Sequence, residues 1–585
     1  MLRTQLTQHE QTKRTTAARR RLAGCVLLVA AAAGCSSSMF MRAEPKDPYV
    51  EEVPSNSRLI SEVAHPHGLN RIKVEGVGLV VGLDGTGFDP PPSPQRAALL
   101  GEMNRREVAD PNQILSSPNT ALVVVRGVLR PGIQAGDRFD IEVKTTSRSE
   151  ATSLRGGKLL ETRLTELAVL GDQIRKGHLM GKAKGSLLVD PSATGEDAIA
   201  HSTRGVILGG GVANKSRKLG LWIDHDHQSV RLSQQIGKAV NDRFHSYIDG
   251  VKRGVSTPKT DEYLEVEVHP RYKDNVGRYM RVIRSIAISE SRTARQQRLL
   301  LLGEQLLDPV TAATAAIRLE AIGGDAAIEV LEQGLVSSDP DVRFYAAEAM
   351  AYLDQTDAVQ VLAEAARDEP ALRVNALAAM SAMDDAAAYE ELRELLSLRS
   401  AETRYGAFRA LWAMSPNDPL VKGESLKGRF SYHVLNIEGP PLIHATSSHR
   451  AEIVLFGTEH RLNTPFVLDA GKNILVNGLG EGEITVTRFQ AGSANEQRSV
   501  TGDVDELVRT VVEFGARYPD VVQMLQQAQD SGALVGRFRV NALPEYGRTI
   551  DRRPTKSSSS KPSKPAPAVD ASIETPMPEL FGPGE

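Results

Sequence analysis

Between residues 296 and 415 the chain repeats itself about every 30 residues, and this restricts its fold more than any other feature. Asp308-Pro309 returns 31 residues later as Asp339-Pro340. The register then continues. Ala315, Ala346, Ala376 and Ala407 correspond, as do Leu319, Met350, Met380 and Leu411. Arg343, Arg373 and Arg404 share a third position, where the first unit has Ala312. Units of this length, each with two apolar-striped segments, cannot bury their hydrophobic face alone, so neighbours must stack. Small alanines at equivalent positions let the helices approach closely. The spacing predicts an all-α HEAT-like solenoid of about four units, with an irregular helical bundle as the alternative.

The flanking sequence has a different period. From 57 to 290, short β-branched runs at 78–83, 121–128, 139–145, 186–189, 205–208 and 263–268 are bounded by Gly, Pro, Asp and Asn, the punctuation of strands. Helical spacing intervenes at 94–103 and 229–244, so this stretch reads as an α/β domain. Past Pro416, runs at 452–456, 473–476 and 483–489 alternate apolar and polar residues between Gly-rich turns. Residues 504–529 read as one helix and 536–540 as a returning strand, which makes 430–548 a small β-rich α+β domain. The tail, 549–585, is rich in Pro and Ser and too poor in apolar side chains to bury a core. The expected fold class is therefore multidomain: an α/β domain, an all-α solenoid and a β-rich α+β domain.

Cysteine occurs only at Cys25 and Cys35. The body of the chain thus lacks the residues for disulfides, thiolate nucleophiles or cysteine metal clusters. Lys13, Arg14, Arg19, Arg20 and Arg21 precede an apolar stretch at 22–33, as in an export signal, here expected over 1–34. No stretch approaches the ~20 apolar residues of a membrane-spanning helix. Ala32-Ala33-Gly34-Cys35 resembles the bacterial lipobox, whose cysteine is lipidated and becomes the first mature residue. Cys35 is accordingly the expected lipidation site and 35–56 a linker; a plain signal peptide or a short anchor are the alternatives. Two or three acyl chains anchor stably where one does not. By resemblance to enteric sorting rules, Ser36 favours the outer membrane.

With 70 basic against 73 acidic residues, the chain has no general excess of positive charge for nucleic acid. Gly76, Gly78, Gly82, Gly85 and Gly87 follow neither the dinucleotide nor the Walker spacing, and Pro90-Pro91-Pro92 stands where a phosphate-binding helix would begin. A strand ending in tight turns accounts for them, and for Gly209-Gly210-Gly211 as well. Asp224-His225-Asp226-His227 has metal-ligand residue types, but alternation along a strand gives at most two of them one ion. His65 and His67 would have to complete the site by coincidence of folding, and a solvated turn is the simpler reading. The carboxylate pairs Asp384-Asp385 and Glu390-Glu391 read as solvated helix surface. No nucleophile elbow is present. No catalytic, cofactor-binding or metal residue is assigned, and the expectation is assembly without catalysis.

Five ordered pieces of the first domain resemble the flagellar P-ring protein family. Val77-Gly78-Leu79-Val80-Val81-Gly82-Leu83-Asp84-Gly85-Thr86-Gly87 is similar to the family's "GYGLVVGLNGTGD". Residues 119–125, Arg130-Pro131-Gly132 and Gly136-Asp137-Arg138-Phe139-Asp140-Ile141-Glu142-Val143 resemble its strand, Pro-Gly turn and next strand. Ala151-Thr152-Ser153-Leu154-Arg155-Gly156-Gly157-Lys158-Leu159-Leu160 resembles its "A-x-S-L-x-G-G-x-L-L" run. Residues 205–211 resemble its β-to-loop segment, and 221–244, ending Ala239-Val240-Asn241-Asp242-Arg243-Phe244, its strand and helix. The resemblance, over about 71–289, implies a homo-oligomeric periplasmic ring around the flagellar rod, beside the L-ring proteins and close to peptidoglycan. It makes Gly82, Gly85, Gly87, Gly156 and Gly157 a candidate ring-assembly motif.

Three features depart from the family. Its members are usually soluble, whereas this chain has the lipobox; in the standard basal body the L-ring subunit is the lipoprotein. The solenoid is foreign to the pattern and is expected to bind a further protein on its concave face. The ending after it does not match clearly. Two functions fit: a structural P-ring subunit supporting motility, or a lipid-anchored envelope scaffold that recruits a protein through its repeats. A metal-dependent envelope enzyme is the least favoured.

Overall fold

The computed structural model describes residues 57–170, 173–189, 201–248, 251–479, 483–490, 492, 494–544 and 578. Cys35, the export signal, the linker and nearly all of the tail lie outside the described residues.

Six strands, β1 (Ile72–Val81), β2 (Thr120–Leu129), β3 (Arg138–Thr145), β4 (Lys158–Leu170), β5 (Gln173–Ser186) and β6 (Arg204–Ala213), close into an antiparallel barrel in the order β1-β2-β3-β6-β5-β4. Alternation sends Phe139, Ile141 and Val143 inward, where they meet Val123, Val125, Leu159 and Ile207. The Phe139 ring fills the space that a side chain at Gly211 would take, since a Cβ there would lie 2.7 Å from it. Helix α1 (Pro94–Arg105) bridges β1 and β2, capped by Ser93, whose side chain accepts from the Arg96 amide.

The β4–β5 hairpin is absent from the sequence reading. β5 carries Gly177, Gly181 and Gly185 among lysines, so it lacks the β-branched signature of a strand. Barrel pairing on both sides supplies what propensity does not. The strand expected at 186–189 is instead the end of β5 followed by a lone bridge from Leu188 to Val206.

A second layer packs a four-stranded antiparallel sheet (Ala64–His67, Leu219–Ile223, Tyr263–Val266, Ser256–Pro258) with α2 (Val230–Arg243) and α3 (Val276–Arg284). Its first and last pieces meet: Arg58–Leu59 pairs with Ala287–Ser289, and the Ile60 amide donates to the Ile286 carbonyl at 3.0 Å.

Eight helices follow: α4 (Arg292–Leu307), α5 (Ala312–Ile322), α6 (Asp325–Leu335), α7 (Pro340–Tyr352), α8 (Val359–Asp368), α9 (Arg373–Ser381), α10 (Ala386–Leu395) and α11 (Ala401–Met414). The repeat alanines and Leu319, Met350, Met380 and Leu411 lie on α5, α7, α9 and α11, all fully buried. Asp339 caps α7 by accepting from the Asp341 and Val342 amides, with Pro340 in the first turn, which explains the second Asp-Pro pair; Asp308 instead ends α4, and α5 starts after Thr311. The repeat arginines reach backward. Arg343 donates to the Ser337 and Ser338 carbonyls, and Arg373 to those of Ala366 and Arg367. Arg404 instead donates to the carbonyl of Pro440, outside the repeats.

The expectation of a free concave face is corrected here. Residues 344–352 of α7 are buried without interruption, so that helix is covered on every side. The outer helices α4, α6, α8 and α10 cover one side. The other is filled from within the chain by α3 and the segment before it, and by the sheet after the repeats. Arg278 of α3, 1% exposed, sits 2.6 Å from Glu320 of α5 and 2.6 Å from Glu348 of α7. Tyr272 donates to Glu320, and Asn375 of α9 to Glu348.

Past the solenoid, strands Glu424–Leu426, Phe430–Leu435, Glu452–Phe456, Leu442–Ala445 and Arg537–Val540 lie side by side in that order. A four-stranded meander from Phe466–Asp469 to Glu496–Val500 and helices α12 (Val504–Phe514) and α13 (Tyr518–Asp530) complete the unit. The single helix expected at 504–529 is two, because Gly515 turns left-handed at φ +117° and Pro519 opens the next helix.

Arg278→Met leaves two carboxylates buried without their cation and is expected to lower unfolding stability by about 3–5 kcal/mol. Adding Glu320→Leu and Glu348→Met should recover most of that loss, as read by denaturant unfolding.

Candidate interaction surfaces

The five candidate glycines gather at one rim of the barrel, where the β1–β2 and β3–β4 connections interlock. Thr86 donates its hydroxyl to the Ser153 carbonyl at 2.7 Å, and the Thr152 amide donates to the Thr86 carbonyl at 3.0 Å. Gly82 and Gly85 are left-handed with open space around them. Gly87 and Gly157 serve close packing: an added Cβ would lie 2.1 Å from the Thr120 carbonyl oxygen in one case and 2.5 Å from Val80 in the other. The rim is not free. Lys472, from the meander, donates to the Gly82 carbonyl at 2.8 Å and lies 3.8 Å from Asp84, while Gly156 faces its side chain. Elsewhere Asp140 of the barrel accepts from the His449 and Gly209 amides. The unit after the solenoid therefore folds back on the barrel, a contact joining residues 390 apart that no local pattern announces.

The Asp-His run is a turn after Leu219–Ile223, with His225–His227 in one helical turn. Asp224 lies 2.9 Å from His65 Nδ1, both solvent-facing. His67 turns away to pack edge-on against Trp222 and Tyr263. Asp385 caps α10, whereas Glu390 lies beside Arg393 on its outer surface.

A second buried ionic cluster ties α11 to the last sheet. Glu452 accepts from the Tyr405 hydroxyl at 2.6 Å and pairs with Arg409 at 3.2 Å, with His433 3.5 Å away. Burial works against its charge, but Arg409 and the imidazole outweigh it and hold the carboxyl well below the usual carboxylate range. His444 stacks on Tyr405 with ring centres 3.9 Å apart, and neither ring nitrogen has a hydrogen-bond partner. Sequence reasoning passed over all five residues, since their separation in the chain hides the cluster.

Known families match the two halves of this architecture separately. The geometry of the repeats is that of a helical array, and residues 299–381 match HEAT repeats. Residues 59–297, the barrel with its second layer, match the flagellar P-ring protein family. Similar proteins include the flagellar P-ring proteins of Nitratidesulfovibrio vulgaris, 29% identical over 40% of this chain and 63% of the relative, and of Nitrosospira multiformis, 30% identical over 35% and 56%. That of Campylobacter jejuni is 37% identical over 27% of this chain and 43% of its own. In each case the chain spans less than two thirds of the relative's length. The matched segment starts at the strand Arg58–Leu59, contains its partner Ala287–Ser289 and runs on into the first turns of α4, so it takes in the whole barrel and its second layer.

Burial moves the His444 imidazole down from 6.5 to about 3. The group is neutral when folded and takes up a proton only on unfolding, so stability is complete above about pH 6.5 and falls as the pH drops toward about 3. The slope from this group is about 1.4 kcal/mol per pH unit. In His444→Phe, stability measured by denaturant between pH 7 and 4 should decline less steeply by that amount.

Proposed function

We propose that this chain is a structural, ring-forming subunit of the bacterial flagellar basal body, a P-ring component that surrounds the rod in the periplasm and supports motility without catalysis. The observation that carries this reading is the family match over 59–297, which contains the entire barrel and both strands of the pairing that joins the ends of the unit. Barrel closure leaves no free strand edge among β1–β6, so copies of the barrel would join through loops and side chains, not by extending a sheet. Of the rim of Gly82, Gly85, Gly87, Gly156 and Gly157, the part that Lys472 leaves uncovered, around Asp84 and Gly85, is the shaped loop offered for such a heterologous contact. A lipid on Cys35 would tether the ring to a membrane, the outer one being favoured. L-ring and rod proteins are the neighbours this role implies, with peptidoglycan nearby.

The alternative, a lipid-anchored scaffold recruiting a protein through its repeats, loses the inner surface that such arrays commonly use. A partner of the solenoid is left with the outer helices, which present Glu329, Glu332, Glu364, Glu390 and Glu394 to solvent. Deleting the repeats would uncover the shared core and is not a clean test. Reversing those glutamates to lysine should release such a partner while leaving rings intact.

A deletion strain should lose swimming, and a tagged copy should restore it and appear as a ring in electron micrographs of purified basal bodies. Undisturbed swimming, together with a tagged protein that stays outside basal bodies, would refute the assignment. Metabolic labelling with a fatty acid should mark the wild-type chain and be lost in Cys35→Ala.

A further inference from the structure

A cleft of about 1100 Å³ lies between the outer wall of the barrel and the unit after the solenoid. Its barrel side is formed by β2, β3 and β6, its far side includes Val522 and Val540, and the N-terminus of α1 opens at one end. Neither family match covers both walls, since the second wall lies beyond residue 381.

The charges in this cleft are unbalanced. Lys144 of β3 and Arg204 of β6 stand directly opposite each other in the ladder, and both line the cleft with Arg148 and His201. Like charges in directly opposed positions destabilise a sheet. Arg126, which also lines the cleft, has Glu75 at 2.8 Å. Among the described residues, Lys144, Arg148 and Arg204 have none within ion-pair distance. Glu142 is, among the described residues, the one acidic side chain in the lining. A repulsive pair facing a volume larger than most small-ligand pockets is what an anionic occupant would relieve.

The spacing narrows the class. Glu142 and Lys144 are two apart on β3, and Arg204 and Val206 are two apart on β6, so they present steps of about 6.6 Å on one face. That is the interval between alternate side chains of an extended peptide. Lys144 and Arg204 form one cationic point across the ladder, and Arg148, beyond the end of β3, supplies a second, so the charge is not gathered on a single phosphate-sized spot. Val124, Val206 and Leu188 lie between them and offer apolar contacts to the intervening part of such a peptide.

We propose that this cleft binds an extended, acidic polypeptide segment of a partner protein, whose alternate carboxylates meet Lys144, Arg204 and Arg148. The site uses a wall from each side of the solenoid, so it exists only when the solenoid holds the terminal unit against the barrel. It stands apart from the assignment to the flagellum: peptide binding can fail in a protein that still forms rings, and the reverse.

The test uses the full chain in detergent and a fluorescein-labelled dodecapeptide of alternating Glu and Ala, read by anisotropy. Saturable binding is expected, weakening about tenfold or more in the Lys144→Glu/Arg204→Glu variant and with a rise in salt from ~50 to ~300 mM. The alternating Lys-Ala peptide should not bind. Should the reversed pair disturb folding, Lys144→Gln/Arg204→Gln gives the same readout at lower cost, and a photo-crosslinking Glu-Ala peptide should label segments 143–148 and 201–206. Absence of saturable binding, affinity unchanged in both variants, crosslinks confined to other segments, or inorganic polyphosphate binding as tightly as the peptide would each overturn the proposal.

Discussion

Arg278 and its two carboxylates hold this molecule in its present arrangement. A guanidinium removed from water requires compensating charge, and Glu320 and Glu348 supply it from two successive inner helices of the solenoid. Burial alone would lower the arginine's affinity for its proton, yet the paired acids raise it, so the cation persists at any ordinary pH. The second layer, which contains α3, is thereby fixed to the repeats in one register. Apolar packing tolerates sliding far better than a charge that must find its partner. Glu452, Arg409 and Tyr405 perform the same service at the other end.

Between these two joints the solenoid acts as an internal brace. Helical arrays commonly expose an inner surface to partners, but here that surface is occupied by the chain's own flanking segments. One hydrophobic core runs from Ile60 through the repeats to Phe456. Three segments distinct in sequence pattern are thus continuous in packing. The cleft beside the barrel follows from this, since the distance between its walls is set by a rigid element.

Local signals showed the repeats plainly, because the Asp339-Pro340 cap and alanines in register are short-range features. The strands rich in valine and isoleucine were equally visible. β5 was not, since its glycines and lysines become a strand only when neighbours on both sides close the barrel. The break at Gly515 was missed because apolar spacing carries across it. Among the candidate surface residues, the glycine rim could be recognised as turns, yet nothing near Gly82 or Gly156 in sequence points to Lys472. The buried clusters of Arg278 and Glu452 were illegible for the same reason: a charged residue on a helix reads as solvated until the element that covers it is known.

The pairing of Arg58–Leu59 with Ala287–Ser289 brings the two ends of the first unit to one corner. A fold whose entrance and exit adjoin can receive a long C-terminal addition without being pried open. New sequence grafted after Glu290 needs only to find a surface to lie on, and α3 with its neighbours provides one. Such a doorway makes the unit an accommodating host, and the helical array accordingly lies within the frame of the molecule instead of trailing from it.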